Sequence, residues 1–180
     1  MHFTRRAALA IAAATFVAST AFAQAWPAKS IRMVVPFPAG GGTDIISREL
    51  TSKLAGYNFV IDNKPGAGGN LGVDAAAKSP ADGYTFVMGQ TSNLAINPTL
   101  YAHLPYDPLK DLTPVSLVAS SPLLIVASAN SPFHTLADVV KEAKAHPGSI
   151  NFASSGNGTV AHLATVELQK RAGIKLTHVP

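Results

Sequence analysis

The sequence predicts an α/β protein whose parallel strands are covered by helices. Three observations carry this expectation. From residue 31 onward, short apolar runs alternate with stretches of helical periodicity. Two of those runs pass through a small-residue loop directly into a helix. The composition, 47% apolar and 13% charged, is that of a chain that buries a core and not of a disordered one.

Residues 31–37 (Ile-Arg-Met-Val-Val-Pro-Phe) form the near-continuous apolar run of a mostly buried strand. Residues 44–55 predict a helix, because Ile46, Leu50 and Leu54 recur every four residues on one face. Asp44 suits its N-cap. Residues 59–62 read as a second strand, 65–69 as a turn-rich break, 72–78 as a short alanine-rich helix and 84–89 as a third strand. This βαβαβ order is the signature of a parallel sheet.

Residues 91–114 are irregular and proline-rich, with a short helix expected near Leu94. Two apolar runs, 115–119 and 123–127, read as strands, the second leaving the first sheet for another. Leu136, Val139, Val140 and Ala143 stand at i, i+3, i+4 and i+7, an amphipathic helix ended by Pro147-Gly148. Residues 150–153 predict a strand, and 159–172 a helix with Val160, Leu163, Ala164 and Leu168 inward. Residues 175–179 begin a further strand. The organisation expected is a first domain over 24–122 and part of a second over 123–180. The chain stops just after a strand, where a crossover helix is expected, so the second domain reads as incomplete.

The N-terminus has the three parts of a secretory signal. Arg5 and Arg6 precede an apolar stretch over 7–23, which closes on Ala21-Phe22-Ala23. The stretch is alanine-rich and marginal for spanning a hydrocarbon layer of about 30 Å. Cleavage after Ala23 and a periplasmic location are therefore expected. Ala7 and Ala8 after the arginine pair fit the general secretion route better than the twin-arginine one. Removing Arg5 and Arg6 from 14 basic residues leaves 12 against 10 acidic, a net charge of +2. That balance, with no basic stripe, excludes a nucleic-acid footprint. There is no cysteine, so disulfides, thiol nucleophiles and cysteine metal sites are excluded together.

Two loops share one grammar. The first runs Pro36-Phe37-Pro38-Ala39-Gly40-Gly41-Gly42-Thr43-Asp44, the second Ser154-Ser155-Gly156-Asn157-Gly158-Thr159. The first N–H groups of a helix have no intrahelical partner and carry the positive end of its dipole. Glycines let an anionic oxygen approach the backbone, and serine and threonine hydroxyls add donors. A carboxylate or phosphate is the natural guest. Such glycines also serve as plain βα turn chemistry. Asp44 either caps its helix or meets a ligand amine or water; His162 either reaches a bound carboxylate or is a partly buried spacer.

Other motifs fail on spacing. In Gly66-Ala67-Gly68-Gly69-Asn70-Leu71-Gly72 the third glycine of a dinucleotide fingerprint would fall on Leu71. There is no Gly-Lys-Ser/Thr after either glycine loop, no G-x-S-x-G and no H-E-x-x-H. The six histidines are scattered. Neither a catalytic set, a metal site nor a cofactor is expected.

Several stretches together resemble the substrate-binding receptors of tripartite tricarboxylate transporters, often called Bug receptors. They are Trp26-Pro27 with residues 31–44, Asn63 to Asn70, Asp82-Gly83-Tyr84-Thr85, Ala95-Ile96-Asn97-Pro98, Leu104 to Pro108, and Asn151 to Thr159. The resemblance implies a two-domain α/β clamshell of the periplasmic-binding-protein kind, type II-like, without catalysis and working as a monomer. It implies a small carboxylate ligand (a di- or tricarboxylate, an amino acid or an aromatic acid) passed to the transporter's membrane components. It places that ligand against Phe37, Ala39, Gly40, Gly41, Thr43 and Asp44, against Thr91 and Ser92, and against Ser154, Ser155, Gly156, Asn157, Gly158 and Thr159. Members of the family continue well past residue 180, which makes this a C-terminally truncated member by expectation. The alternatives are a truncated, non-functional remnant and an α/β enzyme acting on an anionic substrate.

Overall fold

The computed structural model describes residues 26–180; the expected signal segment and its cleavage point lie outside them. Strand β1 (Ile31–Val35) is the middle of a three-stranded parallel sheet, between β2 (Phe59–Asn63) and β3 (Thr85–Val87). Met33 stands opposite Ile61 on one side and Phe86 on the other. This central position explains the unbroken apolar run: Ile31, Val34 and Val35 are fully buried. The one charge in the strand, Arg32, is held by Asp62 of β2 through contacts of 2.6 and 2.8 Å.

Helix α1 (Gly42–Lys53) follows β1, and a 3-10 turn (Ala67–Gly69) with α2 (Asn70–Ala77) follows β2. Gly72 of α2 packs on Pro36, where a Cβ would come within 2.6 Å of the proline ring. After β3 the chain makes a π-helical turn (Ser92–Ile96) and a short helix α3 (Asn97–Leu100). Tyr106 then returns to the interior, with its hydroxyl oxygen 2.7 Å from Asn93 O and 3.1 Å from Asn70 Oδ1.

The second unit is smaller. Helix α4 (Leu136–Ala145) begins with a reciprocal cap between Thr135 and Asp138. Strands β4 (Asn151–Ala153) and β5 (Thr177–Val179) pair in parallel, Phe152 opposite His178, with α5 (Val160–Ala172) between them in sequence.

Three expectations are corrected. Residues 115–119 and 123–127 form no strand. A β run needs a partner edge for its N–H and C=O groups, and no described residue supplies one. Leu117 and Val126 are left 85% and 82% exposed. Helix α1 turns Asp44 and Ser47 inward, while Ile46 and Leu54 are exposed, because the sheet meets the helix on its polar flank. Helix α5 buries no residue fully, and Val160 and Ala164 lie exposed, because a two-stranded sheet offers too little surface to cover them.

Candidate functional site: two glycine loops at strand ends

Both glycine loops leave the carboxyl end of a parallel strand and enter a helix, the position where open α/β sheets receive ligands. The first loop is braced by Asp44. Its N-cap role is corrected: Gly41 is the N-cap, in extended conformation, and Asp44 stands at the third helical position. From there its carboxylate accepts from Gly40 N–H at 2.9 Å, from Arg48 Nε at 2.9 Å and from Asn63 Nδ2 at 3.0 Å. Arg48, then the Gly40 amide, then Asn63 hold the carboxyl well below the usual carboxylate range. Asn63 also donates to Phe37 O at 3.1 Å, so loop, helix and second strand close on one another.

With Asp44 engaged, the loop's own amides remain. Gly41 N–H donates to Pro38 O and Ile45 N–H to Gly41 O. The N–H groups of Ala39, Gly42 and Thr43 take no partner among the described residues. Thr43 Oγ1 accepts from Gln90 Nε2, which ties the loop to the end of β3 beside Thr91. Thr91 is exposed, whereas Ser92 is buried.

The second loop is folded on itself. Ser154 Oγ accepts from Gly156 N–H at 3.1 Å, and Thr159 Oγ1 donates to Gly156 O at 2.7 Å. Thr159 caps α5 by accepting from His162 N–H. Gly158 N–H donates to His162 Nδ1 at 3.3 Å. The amides of Ser155, Asn157, Val160 and Ala161 take no partner among the described residues. Two hydroxyls expected to serve a ligand, on Ser154 and Thr159, are engaged in holding the loop; the exposed Ser155 has no such bond.

A third segment joins the two loops, and sequence reasoning passed over it. The Phe37 ring lies against Gly69, within 3.1 Å of where a Cβ would stand. The neighbouring Gly68 faces Asn157 O. Gly158 sits on the Oδ1 of Asn97 and on the Tyr101 ring, and Tyr101 Oη donates to Asn157 O at 3.2 Å. Phe37, Gly69, Gly68 and Asn157 thus form one continuous path from loop to loop. Behind it lies a buried amide cluster in which Asn97 Nδ2 donates to Asn70 Oδ1 at 2.6 Å. The glycine pattern at 66–72 was the visible signal, read as a turn, as a family motif and against a fingerprint it does not fit, but not as part of the site.

The structure also brings Ser154 Oγ to 2.7 Å from His178 Nε2, the spacing of a nucleophile and its base. No acid backs the imidazole among the described residues, and the serine oxygen already accepts from Gly156. The pair acts as a brace. The signal for it was the parallel register that sets His178 beside Phe152, two residues before Ser154.

An open hollow of about 530 Å³ lies elsewhere, between the C-terminal half of α1 and the start of β2, lined by Thr51, Leu54, Tyr57 and Phe59 among others. It touches neither loop.

The family model described as the tripartite tricarboxylate transporter family receptor matches residues 45–180. The chain belongs to that receptor family. Protein BugT of Bordetella pertussis is 40% identical over 168 residues, covering 91% of this chain and 52% of its own length. Two solved structures superpose well. R. palustris Rpa4515 with adipate has a TM-score of 0.82 at 37% identity, covering 86% of this chain and 53% of its own. MatC (Rpa3494) from Rhodopseudomonas palustris with bound malate has a TM-score of 0.79 at 32% identity, covering 86% and 54%. The fold is therefore that of the α/β periplasmic binding proteins, of which this chain is a part. The chain spans about half the length of the curated relatives it matches. The family is one of receptors and not of enzymes.

Proposed function

We propose that this chain carries the capture surface of an exported receptor, which holds a small carboxylate between its two glycine loops and presents it to the membrane components of a tripartite transporter. The observation that carries this reading is the set of amide N–H groups at the start of α1 and α5 with no partner among the described residues, on Ala39, Gly42, Thr43, Ser155, Asn157, Val160 and Ala161. Each set lies at the positive end of a helix dipole, and a carboxylate satisfies both charge and hydrogen bonding there. Relatives of the same fold hold adipate and malate.

The residues assigned to the ligand are Phe37, Ala39, Gly40, Gly41 and Thr43 from the first loop, Thr91 and Ser92 from the third strand's end, and Ser154 to Thr159 from the second. Asp44 belongs to the site as a brace and not as a contact, since its oxygens already serve Gly40, Arg48 and Asn63. The receptor acts in the periplasm as a monomer, its first domain reaching to about residue 122.

Titration calorimetry with adipate and with malate tests the reading. Saturable binding that weakens about tenfold or more on Gly156→Val is the expected result. Absence of binding to either acid, with no thermal stabilisation at millimolar ligand, would overturn it.

A further inference from the structure

Behind the second loop, three rings stack. His162 and His178 lie 4.3 Å apart at an interplanar angle of 10°, and Phe152 stacks on His178 at 4.6 Å and lies 6.5 Å from His162. Both imidazoles hold the loop directly. His162 Nδ1 accepts from Gly158 N–H, and His178 Nε2 bonds Ser154 Oγ. We propose that His162 is a positioning residue, which keeps the second loop in its receiving shape only while its ring is neutral, with His178 stacked on it as a fixed wall.

The chemistry is specific to the nitrogen involved. Accepting from Gly158 N–H requires the lone pair on Nδ1, so His162 is neutral with its proton on Nε2. Protonation puts a hydrogen on Nδ1, facing another N–H. The Gly158 bond is lost and the loop must move. Phe152 of β4, Ser154 and Gly158 of the loop, Thr159 of the helix cap and the other imidazole surround the rings. No carboxylate pairs with either ring among the described residues, so nothing offsets the charge. Burial, then the neighbouring His178, lowers the His162 pKa from its ordinary value. The switch therefore lies on the acid side of the usual histidine range.

The consequence for carboxylate capture rests on the function proposed above; the loop movement does not. The first measurement is therefore made without ligand. Amide and imidazole resonances of the chain are followed between about pH 5 and 8. Gly158 and Gly156 amides are expected to shift along the same curve as the His162 ring. Unmoved Gly158 while His162 titrates would overturn the proposal, even if adipate binds.

The second measurement is adipate affinity against pH, read as the ratio of the chain to His162→Asn at each pH, so that the ligand's own carboxyl ionisation cancels. That ratio falls by up to about tenfold per pH unit below the His162 titration, the slope of one linked proton. His162→Asn offers an amide oxygen to Gly158 and cannot be protonated in this range, so it removes that slope. A ratio that stays flat with pH would overturn the proposal. A titrating Gly158 in a chain that never binds adipate would leave the loop switch standing and remove the ligand reading.

Discussion

The carbonyl oxygen of Asn157 lies 2.6 Å from where a Cβ on Gly68 would stand, and Gly68 adopts φ +63°. This contact seats the second loop on the turn that follows β2. A side chain there is doubly penalised, by left-handed backbone and by collision with a backbone atom that cannot swing away. Gly68→Ala is expected to cost on the order of 2–4 kcal/mol. Urea unfolding measures the loss, and hydrogen exchange should quicken at residues 154–159 before it does in β1. Unchanged exchange there would show that the turn does not seat the loop.

Asp44 makes stability depend on acid. Its pKa is depressed in the folded state, so the unfolded chain binds more protons across the carboxylate range. Its contribution is present above the ordinary value of 3.8 and is lost as pH falls through the folded one. Asp44→Asn should lower Tm at neutral pH and flatten the acid limb of a Tm-against-pH curve. An acid limb as steep as before would assign the acid sensitivity to other carboxylates.

Tyr106 supplies the hydroxyl of the buried amide cluster. Burial, then Asp74 and Tyr101, push its pKa up to about 12. The unfolded phenol ionises nearer 10, so folding weakens as pH rises through that window. Tyr106→Phe is expected to remove the last step of the ultraviolet phenolate titration. At neutral pH it should cost about 1–3 kcal/mol by leaving Asn93 O without its donor. A retained last step would place the high value on another tyrosine.

Gly40 separates strain from occlusion. It has φ +80°, yet a Cβ there meets nothing within 4 Å. Gly40→Ala should therefore cost only about 1–2 kcal/mol, from backbone strain. The added methyl stands in the open space of the first loop, and adipate affinity should drop about tenfold. Calorimetry showing full affinity would move the ligand away from this loop.

Residues 115–127 carry apolar side chains without a sheet. Their amides should exchange almost unprotected in hydrogen-exchange mass spectrometry, in contrast to those of residues 32–34, which sit between two strands. Strong protection over 115–127 would mean that the segment pairs after all.

The sequence by itself determined the α/β class, both strand–loop–helix units and the family. Each of these depends on neighbours in the chain: the apolar run of residues 31–35, the glycines that open α1 and α5, and the order of the short motifs. Periodicity misjudged what depended on a partner. The runs at 115–119 and 123–127 have every local mark of strands, but a strand exists only where another edge meets it. The helical stripe of Ile46, Leu50 and Leu54 was legible, yet which side meets the sheet was decided by packing. The interior of the site was likewise tertiary. Gly68 reaches Asn157, Asn97 reaches Gly158 and His178 reaches His162 across separations that no spacing rule links. Local chemistry placed the donors at the loops. The packing of distant segments decided which of those donors hold the fold and which have no partner among the described residues.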